Sequence, residues 1–225
     1  MACSNVFRQH TRVVFRQNVR CFYDTVEKTR LRGLVRLLKQ HFWPKYSFKK
    51  AVATEPRSAS RGCSARGGRA RGVRVDREVQ RVIDGHNLRA AHPFTRFVFS
   101  ALEQLRITAV ASQVVVYDLE RRLATAVDIL GRMPNGTLCV IELKCSSDHK
   151  YESACGRMKS PFAKVPNSLK EQHIVQCMVT RALFERTYEV KADAFVLRVH
   201  NTGATLTRVP RAPAANVALK LLAVV

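Results

Sequence analysis

The chain has 225 residues, enough for one sizeable core plus an extension, and its composition is ordinary for a globular protein except for a net charge of +22. An excess of that size points to phosphate backbones or an anionic membrane surface as partner and says nothing about fold. No run approaches the roughly 18 to 20 apolar residues of a membrane span, the N-terminus lacks the apolar core of a secretory signal, and the seven cysteines form no C-x-x-C pair. They argue for a reducing compartment and against a zinc site or a disulfide scaffold.

The charge is unevenly placed. Residues 1–75 hold 18 Lys and Arg against three acids (Asp24, Glu27, Glu55), whereas the remaining 150 residues hold 21 against 14. Residues 1–52 therefore read as a basic helical extension that binds a polyanion. Arg8, Arg12, Arg16 and Arg20, with no acid before Asp24, fit a nucleic-acid-binding helix or a mitochondrial transit peptide. Residues 7–43 read as one or two helices: Leu31, Leu34, Val35, Leu38 and Phe42 recur at helical spacing, with Arg32, Arg36 and Lys39 between them as candidate phosphate contacts. A membrane-surface role for that amphipathic stretch is a third class of reading. Residues 53–73 are rich in Gly, Ser and Arg and read as a flexible linker, in which Arg66, Arg69 and Arg71 would track phosphates.

A folded domain is expected over 74–225. Helices are expected at 75–83 and 93–105, then strands at 110–119, 123–132 and 137–145. The last two form a hairpin around Pro134-Asn135-Gly136. With that turn centred on Asn135, facing residues sum to about 270, so Asp128 lies opposite Glu142. Alternation puts Glu142 and Lys144 on one face and Ile141 and Leu143 on the other. Two carboxylates against an apolar hairpin repel each other and resist desolvation; a divalent cation relieves both, and Mg²⁺ favours one or two carboxylates plus phosphate oxygens. Residues 146–166 read as a mobile polar loop whose His149, Lys150, Lys159 and Lys164 either close over a ligand or are simply solvated. A helix over 169–188 follows, N-capped by Ser168, and strands at 192–200 and 204–209 close the domain around Asn201-Thr202-Gly203. The order fits an α/β fold with a central mixed β-sheet flanked by helices.

Asp128, a spacer, then Glu142-Leu143-Lys144 resembles the metal-binding core of the PD-(D/E)XK nuclease superfamily. Gln113 to Asp128 (QVVVYDLERRLATAVD) and Gln172-His173-Ile-Val-Gln176 are similar to the RecB-like and lambda-exonuclease-like branch. His92-Pro93-Phe94-Thr95 matches nuclease-like proteins of large DNA viruses. The likeness covers roughly residues 72–200. It departs from the branch at Gln113, where an acid is usual, and at Thr180, where a tyrosine is usual.

The resemblance implies a restriction-endonuclease-like sheet and a Mg²⁺- or Mn²⁺-dependent DNA nuclease, an exonuclease by its branch, working in replication, recombination or repair in the nucleus. RNA is the alternative substrate and the mitochondrion the alternative compartment. Asp128, Glu142 and the Leu143 carbonyl would hold the metal, and Lys144 would hold the attacking water. His92, Gln113, Gln172 and Gln176 would support the site, with a capping role equally open for His92. Glu78 and Glu103 read as solvated helix positions. The competing function is a non-catalytic nucleic-acid-binding protein that keeps the fold.

Overall fold

The structure, a computed structural model, describes residues 12–16, 21–44, 65–145 and 151–222. It is an α/β sandwich built on one eight-stranded mixed sheet. The strands are β1 (Val13–Arg16), β2 (Cys21–Asp24), β3 (Thr29–Gly33), β4 (Thr108–Asp118), β5 (Leu123–Arg132), β6 (Leu138–Cys145), β7 (Ala192–His200) and β8 (Gly203–Arg208). The helices are α1 (Leu34–His41), α2 (Ala65–Ile83), α3 (Pro93–Gln104), α4 (Leu169–Tyr188) and α5 (Ala214–Leu221). On one face α1, α4 and α5 bury Leu34, Leu38, Val175, Val179, Leu183 and Leu219 against the sheet. On the other, α2 and α3 bury Val75, Val79, Val98 and Leu102. No helix among the described residues is long and apolar enough to cross a membrane.

The β5–β6 hairpin forms in the expected register: Ile129 pairs with Ile141 and Arg132 with Leu138. Gly136 turns it at φ 83°, a conformation glycine adopts without a Cβ clash. β7 joins β6 in parallel, with Glu142 beside Val196 and Lys144 beside Arg198. Helix α4 spans the expected residues, and its Ser168 cap accepts the Glu171 amide at 3.2 Å.

Three expectations are corrected. The described part of residues 1–52 is not a helical extension: β1, β2 and β3 are a meander joined in parallel to β5 at Arg32 and Gly33, and only 34–41 is helical. Buried Asp24 holds the β2–β3 turn by accepting from Arg12 at 3.1 Å and from the Val26 amide at 2.9 Å. The α2 helix begins at Ala65, well inside the stretch read as linker; Gly and Arg suit a helix poorly, but Val75 and Val79 are packed against β4 and β6. Residues 53–64 lie outside the described ones. The loop before α4 is packed rather than loose over 151–168, with Tyr151, Met158 and Phe162 buried and the Lys159 amide bonded to the Phe42 carbonyl at 2.9 Å; His149 and Lys150 lie outside the described residues. Helix α5 was not anticipated. The five described cysteines (Cys21, Cys139, Cys145, Cys155, Cys177) are free thiols.

Gly131 in β5 is a packing requirement. A Cβ there would lie 2.6 Å from Ile107 Cγ2 and 2.8 Å from Cys139 Sγ, both buried. Gly131→Ala is expected to lower stability by about 1–3 kcal/mol through overpacking. Urea denaturation measures it, and a wild-type midpoint would contradict this packing.

Candidate functional site

β5 and β6 pair only as far as Ile129 and Ile141, because the two strands splay beyond them. β5 continues instead beside β3 at Leu123 and Ala124. Asp128 stands at the fork. Its Oδ2 accepts the Leu143 amide at 2.8 Å, satisfying an N–H that the diverging strand has left. A strand residue turns its N–H and C=O to the same edge, so the Leu143 carbonyl faces this fork as well.

Glu142 is on the α4 side of the sheet and is 2 % exposed. Its Oε1 accepts from Lys144 Nζ and from Gln176 Nε2. Burial, then the charge of Asp128, push the Glu142 carboxyl up, while Lys144 pulls it down. Burial works against the Lys144 ammonium, yet Glu142 and Asp128 outweigh it and hold that group protonated. The opposing pulls describe one compensated cluster, two carboxylates and one cation at the edge of an apolar core.

The supporting residues divide. Gln176 touches Glu142, as above. Gln172, one turn earlier, instead gives its amide to Asn167 Oδ1 at 2.8 Å, and Asn167 bonds the Cys155 carbonyl at 3.3 Å. It therefore anchors the loop rather than the lysine. Thr180, a further turn on, is fully buried, and its hydroxyl has no hydrogen-bond partner among the described residues. Gln113 is on β4, level with Asp128 of the neighbouring β5, between the Ser112–Ile129 and Val114–Val127 pairs; it is exposed, at φ 53°. A left-handed non-glycine residue within a strand costs about 1–2 kcal/mol, so the neighbouring pairs must hold it there.

His92 caps α3. Its Nδ1 accepts the Phe94 amide at 3.2 Å, and its own amide donates to Glu78 Oε2 at 2.7 Å. Buried Thr95 donates to the same oxygen at 2.8 Å. The His-Pro-x-Thr motif is thus the clamp between α2 and α3, with Glu78 its hub; the structure gives His92 the capping role of the two left open. Glu103 is exposed on α3.

Among the basic candidates, Arg32 is structural: its Nη2 donates to the Arg121 and Leu222 carbonyls, both at 2.9 Å. Arg36 and Lys39 are exposed on α1. Arg71 bonds Asn201 at 3.3 Å and lies over the Phe94 ring. The side chains of Arg66 and Arg69 lie outside the described ones.

The sequence reading passed over Asp76. It is half-buried on α2, and burial followed by the charge of Asp128 pushes its carboxyl up to about 7, against the pull of Lys144. A third acid therefore approaches the fork from the opposite layer. Its only sequence signal was an acid directly after core-facing Val75, masked by the surrounding arginines. Among the described residues no three His, Cys, Asp or Glu are close enough to form a metal cage. Two carboxylates with the Leu143 carbonyl are a hard-oxygen set of the size Mg²⁺ or Mn²⁺ accepts, since such ions retain several waters.

No protein-family model matches the sequence, and no curated protein does. Among solved structures, the crystal structure of SSO0001 is similar at 14% identity over 57% of this chain and 53% of that one, with a TM-score of 0.32. The chain thus spans about half the length of that protein, and a likeness this slight carries no argument.

His173, next to Gln172, is held neutral: burial, then Lys144, Lys39 and Arg198, push it down to about 3, and its Nδ1 is 3.2 Å from the Tyr151 hydroxyl. Its unfolded-state value is about 6.5. Between these values the unfolded chain binds the extra proton, so this contribution is complete above about pH 6.5 and is lost as pH falls toward 3. His173→Gln is expected to show a smaller drop in Tm between pH 7 and pH 5 than wild type, by calorimetry. Equal drops would rule out His173 as a source of acid sensitivity.

Proposed function

We propose that the chain is a Mg²⁺- or Mn²⁺-dependent deoxyribonuclease, an exonuclease by its resemblance, that hydrolyses phosphodiester bonds in replication, recombination or repair. The observation that carries this reading is the meeting of Asp128, Glu142 and Lys144 at the strand fork, with Glu142 buried and Lys144 held protonated beside it. A buried, ion-paired carboxylate costs more to maintain than an apolar pair of the same shape, which favours a functional reason for it. The resemblance of these positions to the PD-(D/E)XK core and the net charge of +22 support the same reading.

In this reading Asp128, Glu142 and the Leu143 carbonyl hold the cation. When bound, it supplies Lewis-acid polarisation of the scissile phosphate and a lowered pKa for its water. The chain's own groups do the rest. Lys144, charged and close to both carboxylates, orients the attacking water and stabilises the charge that builds on the phosphoryl oxygens. Gln176 fixes the Glu142 carboxylate, so that only its rotation is needed to turn from the lysine toward the cation. Asp76, whose carboxyl is pushed up to about 7 by burial and by Asp128, is the further acid from α2 that would ionise beside a bound cation, where Gln113 offers only a neutral amide.

A second reading, a nucleic-acid-binding protein that keeps the fold without cleaving, is favoured by Gln113, an uncharged residue turned to solvent where the resembling proteins carry an acid. Cleavage separates the two. Labelled linear and circular DNA are incubated with Mg²⁺ or Mn²⁺ and wild type, Asp128→Ala or Lys144→Ala. Metal-dependent digestion that falls by about 10²-fold or more in both variants is expected, with the circles resistant. Binding without digestion in either metal would select the non-catalytic reading.

A further inference from the structure

The outer side of the α2–α3 layer carries charge that the fold leaves uncompensated. Over residues 70–106 the exposed charged side chains are six arginines against two acids, Asp84 and Glu103. Of the six, only Arg74 has a carboxylate partner among the described residues, Glu78 at 2.9 Å. The opposite layer differs. Over residues 169–222 four of the five exposed lysines and arginines are paired: Arg186 with Asp118 at 3.5 Å, Lys191 with Glu185 at 3.8 Å, Arg208 with Asp193 at 3.0 Å and Arg211 with Glu185 at 2.8 Å.

On α2 the unpaired charge is ordered. Arg77 and Arg81 each follow a buried valine, Val75 and Val79, by two residues, so they stand on the side of the helix away from the core. They are one turn apart on the same flank, with a rise of about 6 Å between them. Asp76 lies between that flank and the core, and its carboxyl feels the charges of Asp128 and Lys144. The arginine stripe therefore begins beside the fork. Like charges one turn apart repel, and a polyanion laid along the helix relieves this. A lipid surface suits the face poorly, because an interfacial helix sinks its apolar side into the membrane. That side of α2 is buried in the core, and Val73 is the one large apolar side chain it exposes among its described residues.

We infer that the outer face of α2, read at Arg77 and Arg81, is a docking surface for the phosphate backbone of duplex DNA on its way into the fork. That the polyanion is DNA rests on the nuclease reading, whereas the surface itself is read by binding alone. Contacts to phosphates carry no base information, so this docking is independent of sequence.

The test is anisotropy of fluorescein-labelled duplex DNA, titrated in EDTA over a range of salt. The proteins are wild type, Arg77→Ala/Arg81→Ala, each single alanine variant, Arg77→Lys/Arg81→Lys, and the control Arg186→Ala/Arg208→Ala, which removes the same charge from the paired layer. The alanine pair is expected to weaken binding roughly tenfold or more at low salt and to lower the slope of log K against log salt by about 1.4–1.8, the loss of two phosphate contacts. The lysine pair is expected to keep the slope, since both charges remain. The control pair is expected to keep it too. A wild-type slope in the alanine pair would overturn the surface; should that pair not fold, a wild-type slope in both single variants would do so. An equal loss in the control pair, or in the lysine pair, would also overturn it. So would unchanged DNA binding by the alanine pair with lost sedimentation on phosphatidylserine vesicles, which would assign the face to a membrane. Cleavage by wild type with a wild-type slope in the alanine pair sinks the surface alone; a lowered slope in that pair without cleavage by wild type sinks the nuclease reading alone.

Discussion

The Glu142 carboxylate, closed off from water beneath α4, is the constraint on which the rest of the site depends. Desolvating a carboxylate costs several kcal/mol unless charge and hydrogen bonds compensate. Here both compensations land on one oxygen, Lys144 from the same strand and Gln176 from the helix above. Gln176 can reach it only if α4 lies across the sheet at one axial position. The Ser168 cap sets where α4 starts, and Gln172 ties its first turn to Asn167 in the preceding loop. That loop in turn packs on α1 through Phe162 and Phe42, whose rings meet edge-on with centroids 5.6 Å apart. One buried charge is thus connected, contact by contact, to the helix, the loop and the end of α1.

The strand fork supplies the other half. In a continuous ladder the Leu143 amide would face a backbone carbonyl and Asp128 would be one more alternating side chain. Because β5 passes on to β3 while β6 stays beside β7 along its whole length, a gap opens between β5 and β6, and the Asp128 carboxylate fills the missing acceptor. The gap collects oxygen atoms from two strands without burying an unsatisfied donor. Asp76 approaches it from α2, and Lys144 and Arg198 line the α4 side. Acids gather at the fork while cations line its margin, which suits a cation in the centre and phosphate oxygens around it.

Much of this was legible because strand geometry is strict. The period of two and the Asn135-Gly136 turn fixed the hairpin register as far as Ile129 and Ile141; the expected pairing of Asp128 with Glu142 does not form, because the strands splay there and Asp128 accepts the Leu143 amide instead. Ser168 marked the start of α4 for the same local reason. The N-terminal segment was misread because arginine count dominated it: Leu31 fitted a helical stripe with Leu34 and Leu38, yet it is the buried residue of β3. The alternation in Cys21-Phe22-Tyr23-Asp24 was too short to compete. The start of α2 was hidden by glycines, whose weak helix propensity is overridden by the packing of Val75 and Val79. His92 was ambiguous in sequence because a cap before proline and a ligand look alike; only Glu78 bonding both His92 and Thr95 decides between them. Asp76 and Arg198 needed tertiary neighbours to be noticed at all, since neither lies within a motif.

The central claim is that Asp128 and Glu142 together hold a divalent cation, and calorimetric titration of the DNA-free protein with Mn²⁺ tests it most directly. The account requires saturable binding near one equivalent by wild type, loss of most of the affinity in Asp128→Asn and in Glu142→Gln, and retained binding in the exposed-acid control Glu103→Gln. Equal Mn²⁺ affinity in all four proteins, or none in wild type, would contradict it and leave the cluster a structural ion pair.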